Sequence, residues 1–492
     1  APPRAHGGDL RFLNGDGGPL PPRLQAIAAA FSAPGVDFSH DENREALADA
    51  IVRWANAHDH PVFYASVQPP DRHGVTTVTL TDGKTGNVTV EGGKHLAADR
   101  IASRLRIRSG EPLHGRSLQE ELDWLQRNPF HSATLAASPG ATADTADIAF
   151  TLTDARPVSF LAGYDNQGVA PLGDSRYRAA VQWGNALGLD HQMALQVMTA
   201  DDTGTYRSLA GEWTIPLPWR HELRLSGAWA ATSVTSDYEN GALDSDGTLW
   251  AASLRYAVPL RLTKTRTAEM FSGFDYRKFD TGVTFGDSAL FANAVEVGAF
   301  VLGVSTKKIA GTNTDFASIE LVWSPGGLFS GADDEAYHGV NPEADASYFL
   351  VRGSWQNRHT FTGGWQWLNR AGGQAASGPL LPSEDYTIAG ATAVRGYRER
   401  SVRGRHGVYL STEILTPSLP VPSAGQNRSM AWQLCAFADG GWASPSDDNP
   451  DAWLASAGLG LRPGAGKLFS FSCDAAWRLP RYAGAAGADG PR

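Results

Sequence analysis

From Pro157 onward, apolar and polar residues alternate with period two in stretches of ten to twelve residues. Tyr177, Ala179, Val181 and Trp183 share one side of such a stretch, with Arg176, Arg178, Ala180 and Gln182 on the other. Leu223, Leu225, Gly227 and Trp229 oppose Arg224, Ser226 and Ala228. Trp250, Ala252, Leu254, Tyr256 and Val258 oppose Ser253 and Arg255, and Phe349, Val351, Gly353 and Trp355 oppose Arg352, Ser354 and Gln356. This alternation predicts strands with one apolar face. Fifteen such segments are readable: 158–166, 175–185, 191–200, 205–215, 221–232, 248–258, 267–279, 293–305, 314–323, 347–357, 359–369, 407–416, 429–440, 452–462 and 468–478. Ten tilted residues cross a hydrocarbon layer, and aromatics crowd the segment ends. The pattern therefore predicts a transmembrane barrel with a polar lumen rather than a soluble sandwich. Long polar connections at 233–247, 324–346, 370–406 and 441–451 alternate with short turns such as Pro216-Leu217-Pro218, Pro259-Leu260 and Pro463-Gly464-Ala465-Gly466, as they do when one rim carries loops and the other only turns.

Before this region the pattern is mixed and repeats itself. Ser39-x-x-Glu42 and Ser117-x-x-Glu120 each read as a capping box opening a helix. The apolar stripes are Leu47, Ile51 and Trp54 in one and Leu118, Leu122 and Leu125 in the other. A pair of strands follows each helix, 62–67 with 75–80 and 131–135 with 147–152, and both copies end in the same letters, Thr79-Leu80-Thr81-Asp82 and Thr151-Leu152-Thr153-Asp154. Leading strands at 10–13 and 87–90 and leading helices near 22–32 and 97–105 complete a duplicated strand, helix, helix, strand, strand unit.

Composition narrows the class. A mean hydropathy of −0.27 usually marks a soluble chain, but a barrel whose lumen is polar gives the same value. No run of about 18 apolar residues occurs, which excludes a transmembrane helix. Fifteen Trp, 54 Gly and 19% charged residues suit an all-β protein with aromatic girdles, and a net charge of −10 argues against nucleic acid as a partner. Cys435 and Cys473 fall on strands separated by one other, about 9–10 Å apart, so they are expected to stay unpaired. Gly286-Asp287-Ser288-Ala289-Leu290 mimics the start of an esterase motif but lies between barrel segments, and no G-x-S-x-G, H-E-x-x-H, C-x-x-C or phosphate loop is present. No catalytic residue, metal or cofactor is expected. Ala1-Pro2-Pro3-Arg4 has neither a basic nor an apolar leader region, so any signal peptide is expected to have been removed before this numbering begins.

Five short motifs carry a resemblance. Val394-Arg395-Gly396-Tyr397 stands between the eleventh and twelfth segments, in the sixth outer loop, and resembles the signature of the BamA superfamily of outer-membrane barrels. Phe437-Ala438-Asp439-Gly440-Gly441 resembles that superfamily's F-x-D-x-G strand, and Tyr164-Asp165-Asn166-x-Gly168 its Y-D-N-x-G turn. The repeated units look like two POTRA domains in tandem. The turn at Pro69-Pro70 and the helix stop Asn128-Pro129-Phe130 are similar to those of the TpsB transporters of two-partner secretion.

The resemblance covers nearly the whole chain and implies α+β POTRA modules, 1–83 and 84–156, followed by an all-β transmembrane barrel, 157–492, of about sixteen antiparallel strands. It further implies that loop 370–406 folds into the lumen and that Asp439 holds Arg395. Parity puts Phe437 and Asp439 opposite Trp432 and Leu434, and makes Glu413 inward and a second partner for the five donors of the guanidinium. The implied activity is non-enzymatic export of a large unfolded β-helical exoprotein of the TpsA type, an adhesin or haemolysin. The resemblance also implies that Asn128, Pro129 and Phe130 belong to the client-binding surface. Outer-membrane lipid and periplasmic chaperones are further expected partners, and the protein is expected to be a monomer in the outer membrane with its POTRA modules in the periplasm. A BamA- or TamA-like insertase is the alternative, disfavoured by two modules where those proteins have three or five. Only about eight residues precede the first strand, so the family's plug helix is expected to be absent. Residues 481–492 read as a loop-like tail rather than a sixteenth strand ending in Phe, which predicts unpaired edges on the first and fifteenth strands.

Overall fold

Alternation in the repeated units resolves into two small sheets within one N-terminal unit, Ala1–Pro157. The structure, a computed structural model, describes residues 9–14, 22–31, 36–142, 144–238, 241–285, 288–421, 430–446, 450–465 and 469–479. The first module contains β1 (Asp9–Asn14), α1 (Pro22–Phe31), α2 (Asp41–Ala57), β2 (Phe63–Val67) and β3 (Val75–Asp82), with sheet order β1-β3-β2 and β1 parallel to β3. The second repeats it with β4 (Lys84–Gly92), α3 (Ala98–Ala102), α4 (Gly115–Leu125), β5 (His131–Pro139) and β6 (Thr145–Asp154), in the order β4-β6-β5. Each helix lays its stripe on the inward residues of the central strand. Leu47 and Ile51 meet Val78 and Leu80, and Leu118 and Leu125 meet Ile148, Phe150 and Leu152.

Neither capping box forms. The N-cap of α2 is His40, one residue after Ser39, and α4 starts at Gly115, which puts Ser117 inside its first turn. Helix α4 starts early because its leading amides are satisfied from the first module. Gly115 N–H donates to the Asp59 carbonyl (3.0 Å), and Arg116 N–H donates to the Asp59 carboxylate.

The second unit, Val158–Arg492, is one sheet closed on itself. Its strands are β7 (Val158–Asp165), β8 (Arg176–Ala186), β9 (His191–Ala200), β10 (Tyr206–Pro216), β11 (Glu222–Tyr238), β12 (Gly241–Leu262), β13 (Arg266–Phe285), β14 (Ser288–Ala310), β15 (Asn313–Pro325), β16 (Ser347–Thr360) and β17 (Gln366–Ala376). Two-residue strands β18 (Tyr386–Thr387) and β19 (Arg403–Gly404) pair with each other in the following loop. The wall resumes with β20 (His406–Leu415), β21 (Leu419–Val421), β22 (Met430–Ser444), β23 (Ala452–Ala465), β24 (Phe469–Ser470) and β25 (Cys473–Arg478). A short helix, α5 (Asp334–His338), lies between β15 and β16.

Fifteen long strands cross the wall among the described residues, each antiparallel to the next, with β17 pairing β20 around the loop. The unpaired edges expected on the first and fifteenth strands are not found, because β25 neighbours β7 and closes the barrel. With an odd number of antiparallel strands the first and last run the same way, so the seam can close only in parallel. The tail expectation for 481–492 lies outside the described residues.

Two boundaries differ from expectation for a physical reason. Within the polar stretch 233–247, residues 233–238 and 241–247 are not loop but extensions of β11 and β12, paired from Ser233↔Asp246 to Asp237↔Ala242. Above the membrane both faces meet water, so hydrophobic alternation stops while Thr235 and Asp244 still pair across the ladder (2.6 Å). The eleventh strand starts at Gln366 rather than 359, since the chain turns at Phe361–Trp365 (Phe361 N–H to the Trp365 carbonyl, 2.8 Å). The inward loop is correspondingly 377–405. The lumen is also less uniformly polar than expected: Val295, Val297, Ala299 and Val301 of β14 are buried beneath Tyr337, Leu380 and Leu381.

Candidate functional site: a loop pinned inside the barrel

The loop after β17 first folds upon itself. Val394 N–H donates to the Ile388 carbonyl (3.0 Å) and Gly390 N–H to the Val394 carbonyl (3.1 Å), while Ala391 N–H is held by Glu399 (2.6 Å). Gly390 and Gly396 have φ of 128° and 88°, where a side chain is strained. A Cβ at position 390 would also strike the Glu399 carboxylate. This compact hairpin buries Ile388, Ala389 and Val394 against Ala443 and Leu454 of the wall.

The loop places Arg395 over a patch that strand geometry prepares. Ser411 is directly opposite Asp439 across the β20–β22 ladder, and Glu413 is opposite Phe437, so these four inward side chains form a square. Arg395 Nε and Nη2 donate to the two Asp439 oxygens (both 2.8 Å), and its amide reaches the same carboxylate at 3.2 Å. Nη1 donates to Glu413 (2.7 Å) and Nη2 also to Ser411 (3.2 Å). The guanidinium lies over the Phe437 ring, 3.5 Å from its centre. Asp474 of β25 lies 3.6 Å away. Arg395, Asp439 and Glu413 are 4%, 5% and 6% exposed, so this is a buried network rather than charges in an open wet lumen. Around it, Arg370 pairs with Glu413 (3.0 Å) and Arg462 with Asp474 (2.6 Å). The neighbours of Arg395 are tied as well. Arg478 donates to the Gly396 carbonyl (2.7 Å), and the Tyr397 hydroxyl donates to the Ala455 carbonyl (3.1 Å).

A second strap was not foreseen. Glu384, 1% exposed, accepts from Arg277 of β13 and from Arg352 of β16 (3.4 Å), and Gln374 donates to its carbonyl (3.0 Å). Next to it Asp385 accepts from Ser446 (2.6 Å). The inward parity of Arg352, which alternates with Phe349, Val351 and Trp355, was the available signal for an acidic partner in the loop.

Elsewhere, Asn128 is buried and its Oδ1 accepts from Phe130 N–H (3.1 Å), while Pro129 is exposed and Phe130 half-buried at the start of β5. Asp165 accepts from Arg176 (2.7 Å) and Gln167 (3.1 Å), and so shapes the outer turn after β7. Cys435 and Cys473 are both free. Of the esterase-like stretch, Gly286 and Asp287 lie outside the described residues, and Ser288 opens β14.

A closed barrel with an inward loop clamped by a carboxylate on a neighbouring strand, preceded by β-α-α-β-β modules, defines an outer-membrane transporter fold of POTRA-barrel type. The chain belongs to the haemolysin secretion/activation protein family ShlB/FhaC/HecB, whose model matches residues 144–463. It is 23% identical over 405 residues to the outer membrane transporter CdiB of Escherichia coli, a match covering 80% of this chain and 66% of that protein, slightly under two thirds of the relative's length. Its fold is similar to the structures of CdiB from Escherichia coli (TM-score 0.77, 19% identity, 96% of this chain and 87% of the other) and of BamA from Haemophilus ducreyi lacking POTRA domains 1–3 (TM-score 0.52, 14% identity, 96% of each). The barrel lies in the outer membrane and the POTRA modules in the periplasm.

Proposed function

We propose that the protein exports a partner exoprotein across the outer membrane by two-partner secretion, without catalysing a covalent reaction. The observation that supports this most directly is the clamp on Arg395, because it positions a folded loop within the lumen through which a client must pass. The client is unfolded on arrival and of the large β-helical adhesin or haemolysin type. It is received at sheet edges of the modules: β2 in the first and β5 in the second are edge strands, and Ser132, Thr134, Ala136 and Ser138 of β5 are exposed. An edge strand offers unpaired backbone groups to an extended chain, and Pro129 and Phe130 beside β5 add apolar contact. Periplasmic chaperones deliver the client and a single barrel conducts it. The test is co-expression of this chain with a candidate large exoprotein of that type, in a host lacking both. Export to the medium that depends on this chain is expected. Retention of the exoprotein in the periplasm, with the barrel correctly inserted, would refute the reading.

A further inference from the structure

The joint between the two modules holds a group of side chains that export does not use. His60 follows α2, Asp82 is the last residue of β3, and His114 is the N-cap of α4. One ligand atom from each lies within 4.8 Å of the other two. His60 Nδ1 lies 3.0 Å from both oxygens of Asp82, and the rings of His60 and His114 meet edge to face, 5.6 Å between centres. His60 and Asp82 are 28% and 29% exposed at their side chains, enough for an ion to enter from solvent and too little for the groups to be freely solvated.

We propose that His60, Asp82 and His114 form a binding site for a divalent transition ion of the zinc class, which cross-links the two POTRA modules. Two imidazoles and one carboxylate are a borderline donor set that suits zinc, cobalt, nickel or copper rather than magnesium or calcium. Ligand bonds of about 2.0–2.1 Å in a tetrahedron put donor atoms about 3.3–3.4 Å apart. The His60–Asp82 contact is already close to that spacing, and no pair is more than 4.8 Å apart, so the site is completed by a shift of at most about 1.4 Å, within the reach of side-chain rotation. Water takes the fourth position. The carboxylate offsets the positive end of α4, which would otherwise repel a cation at its N-cap.

The placement gives the ion a consequence. Asp82 is followed by Gly83 and then by β4, so the chain passes from one module to the next at the site itself. Asp59, just before His60, already reaches across the same joint to Gly115 and Arg116. An ion shared by His60, Asp82 and His114 would add a second tie beside that one and fix the angle at which the module edges are presented.

The full chain in detergent micelles, stripped with a chelator, is titrated with Zn2+ against a chromophoric competitor and with Co2+ followed by its visible absorption. The chain has 13 histidines, so the comparison is of stoichiometry and affinity with variants. One ion per chain is expected to be lost or weakened by at least roughly tenfold in His60→Ala and in His114→Gln. Asp82→Asn, which keeps size and polarity, guards against a folding defect: weakened binding with unchanged melting of the chain supports the site. Zn2+ is also expected to protect the joint around 82–84 from protease in the wild type and not in these variants. Equal affinity and stoichiometry in His60→Ala/His114→Ala, or binding only at millimolar ion, overturns the proposal.

Discussion

Removing Arg395 tests the clamp in a way its geometry makes quantitative. Arg395→Ala deletes a bidentate pair to Asp439, one bond to Glu413, one to Ser411 and the stack on Phe437. Breaking a buried pair by taking one partner costs about 3–5 kcal/mol, because the other is left desolvated. Exposures of 4% and 5% for Arg395 and Asp439 place this pair in that regime rather than among exposed pairs worth under about 1 kcal/mol. The loss falls on docking of the loop tip. The barrel wall keeps its ladder, so inserted barrel is expected at wild-type abundance. The docked fraction should fall by roughly 100- to 5,000-fold relative to the undocked, since about 1.4 kcal/mol is tenfold.

Asp439→Ala removes the same contact from the other side. Arg395→Ala/Asp439→Ala is therefore expected to be no worse than either single change, with the coupling carried by the pair itself. Arg395→Lys keeps the charge but loses the planar fork and should restore only part of the docking. The assays are exoprotein in the medium, normalised to folded barrel, and labelling of a cysteine placed at Ala393 in the loop. Strictly additive losses in the double variant, or unchanged labelling in Arg395→Ala, would show that the clamp does not hold the loop.

Glu384→Gln is expected to loosen the first half of the loop, because Arg277 and Arg352 lose a shared carboxylate; it should add to Arg395→Ala, with which it shares no partner, in protease accessibility of residues 377–405. Phe130→Ala should lower export at constant barrel abundance, while Asn128→Ala should instead destabilise the second module, since Asn128 is fully buried and braces the turn; export yields and hydrogen exchange of the module separate the two. Burial raises the Asp154 carboxyl, but amides of Lys94, His95 and Leu96 outweigh it and hold it below its ordinary value. Its contribution to the second module is therefore present above the unfolded carboxylate range, about 3.9, and lost as pH falls through the lowered folded value. Asp154→Asn should weaken exchange protection of residues 93–97 at neutral pH and abolish that acid dependence; an unaltered acid limb refutes the assignment.

Legibility followed what period two can and cannot encode. Parity along β20 and β22 sufficed to put Glu413, Phe437 and Asp439 on one face, because a strand inside a barrel has only two sides. The same logic failed at Ser233–Gly247, where the strands leave the membrane and neither side needs to be apolar. At Phe361–Trp365 a tight turn keeps an alternating rhythm and so reads as part of a strand. The two serine capping boxes failed differently. Their local pattern was sound, but Asp59, which lies 57 residues from the amide it serves, had already satisfied the start of α4. Val295, Val297, Ala299 and Val301 were legible as a face but not as an inward one, since an apolar face reads the same whether lipid or a folded loop covers it.

The distribution of charges around the clamp bears on how it can hold and yet let go. Withdrawing Arg395 leaves Glu413 beside Arg370 and Arg462, and leaves Asp474 paired with Arg462. On the other side Glu384 leaves Arg277 still close to Asp275 (3.5 Å). These wall charges have partners within the wall, so undocking does not strand them, and much of the desolvation cost that makes a broken buried pair expensive is avoided. Asp439 is different. Among the described residues the hydrogen bonds to its carboxylate all come from Arg395. The resistance to undocking is therefore concentrated on one carboxylate, at the centre of β22, while the rest of the network is arranged to be indifferent to whether the loop is in place.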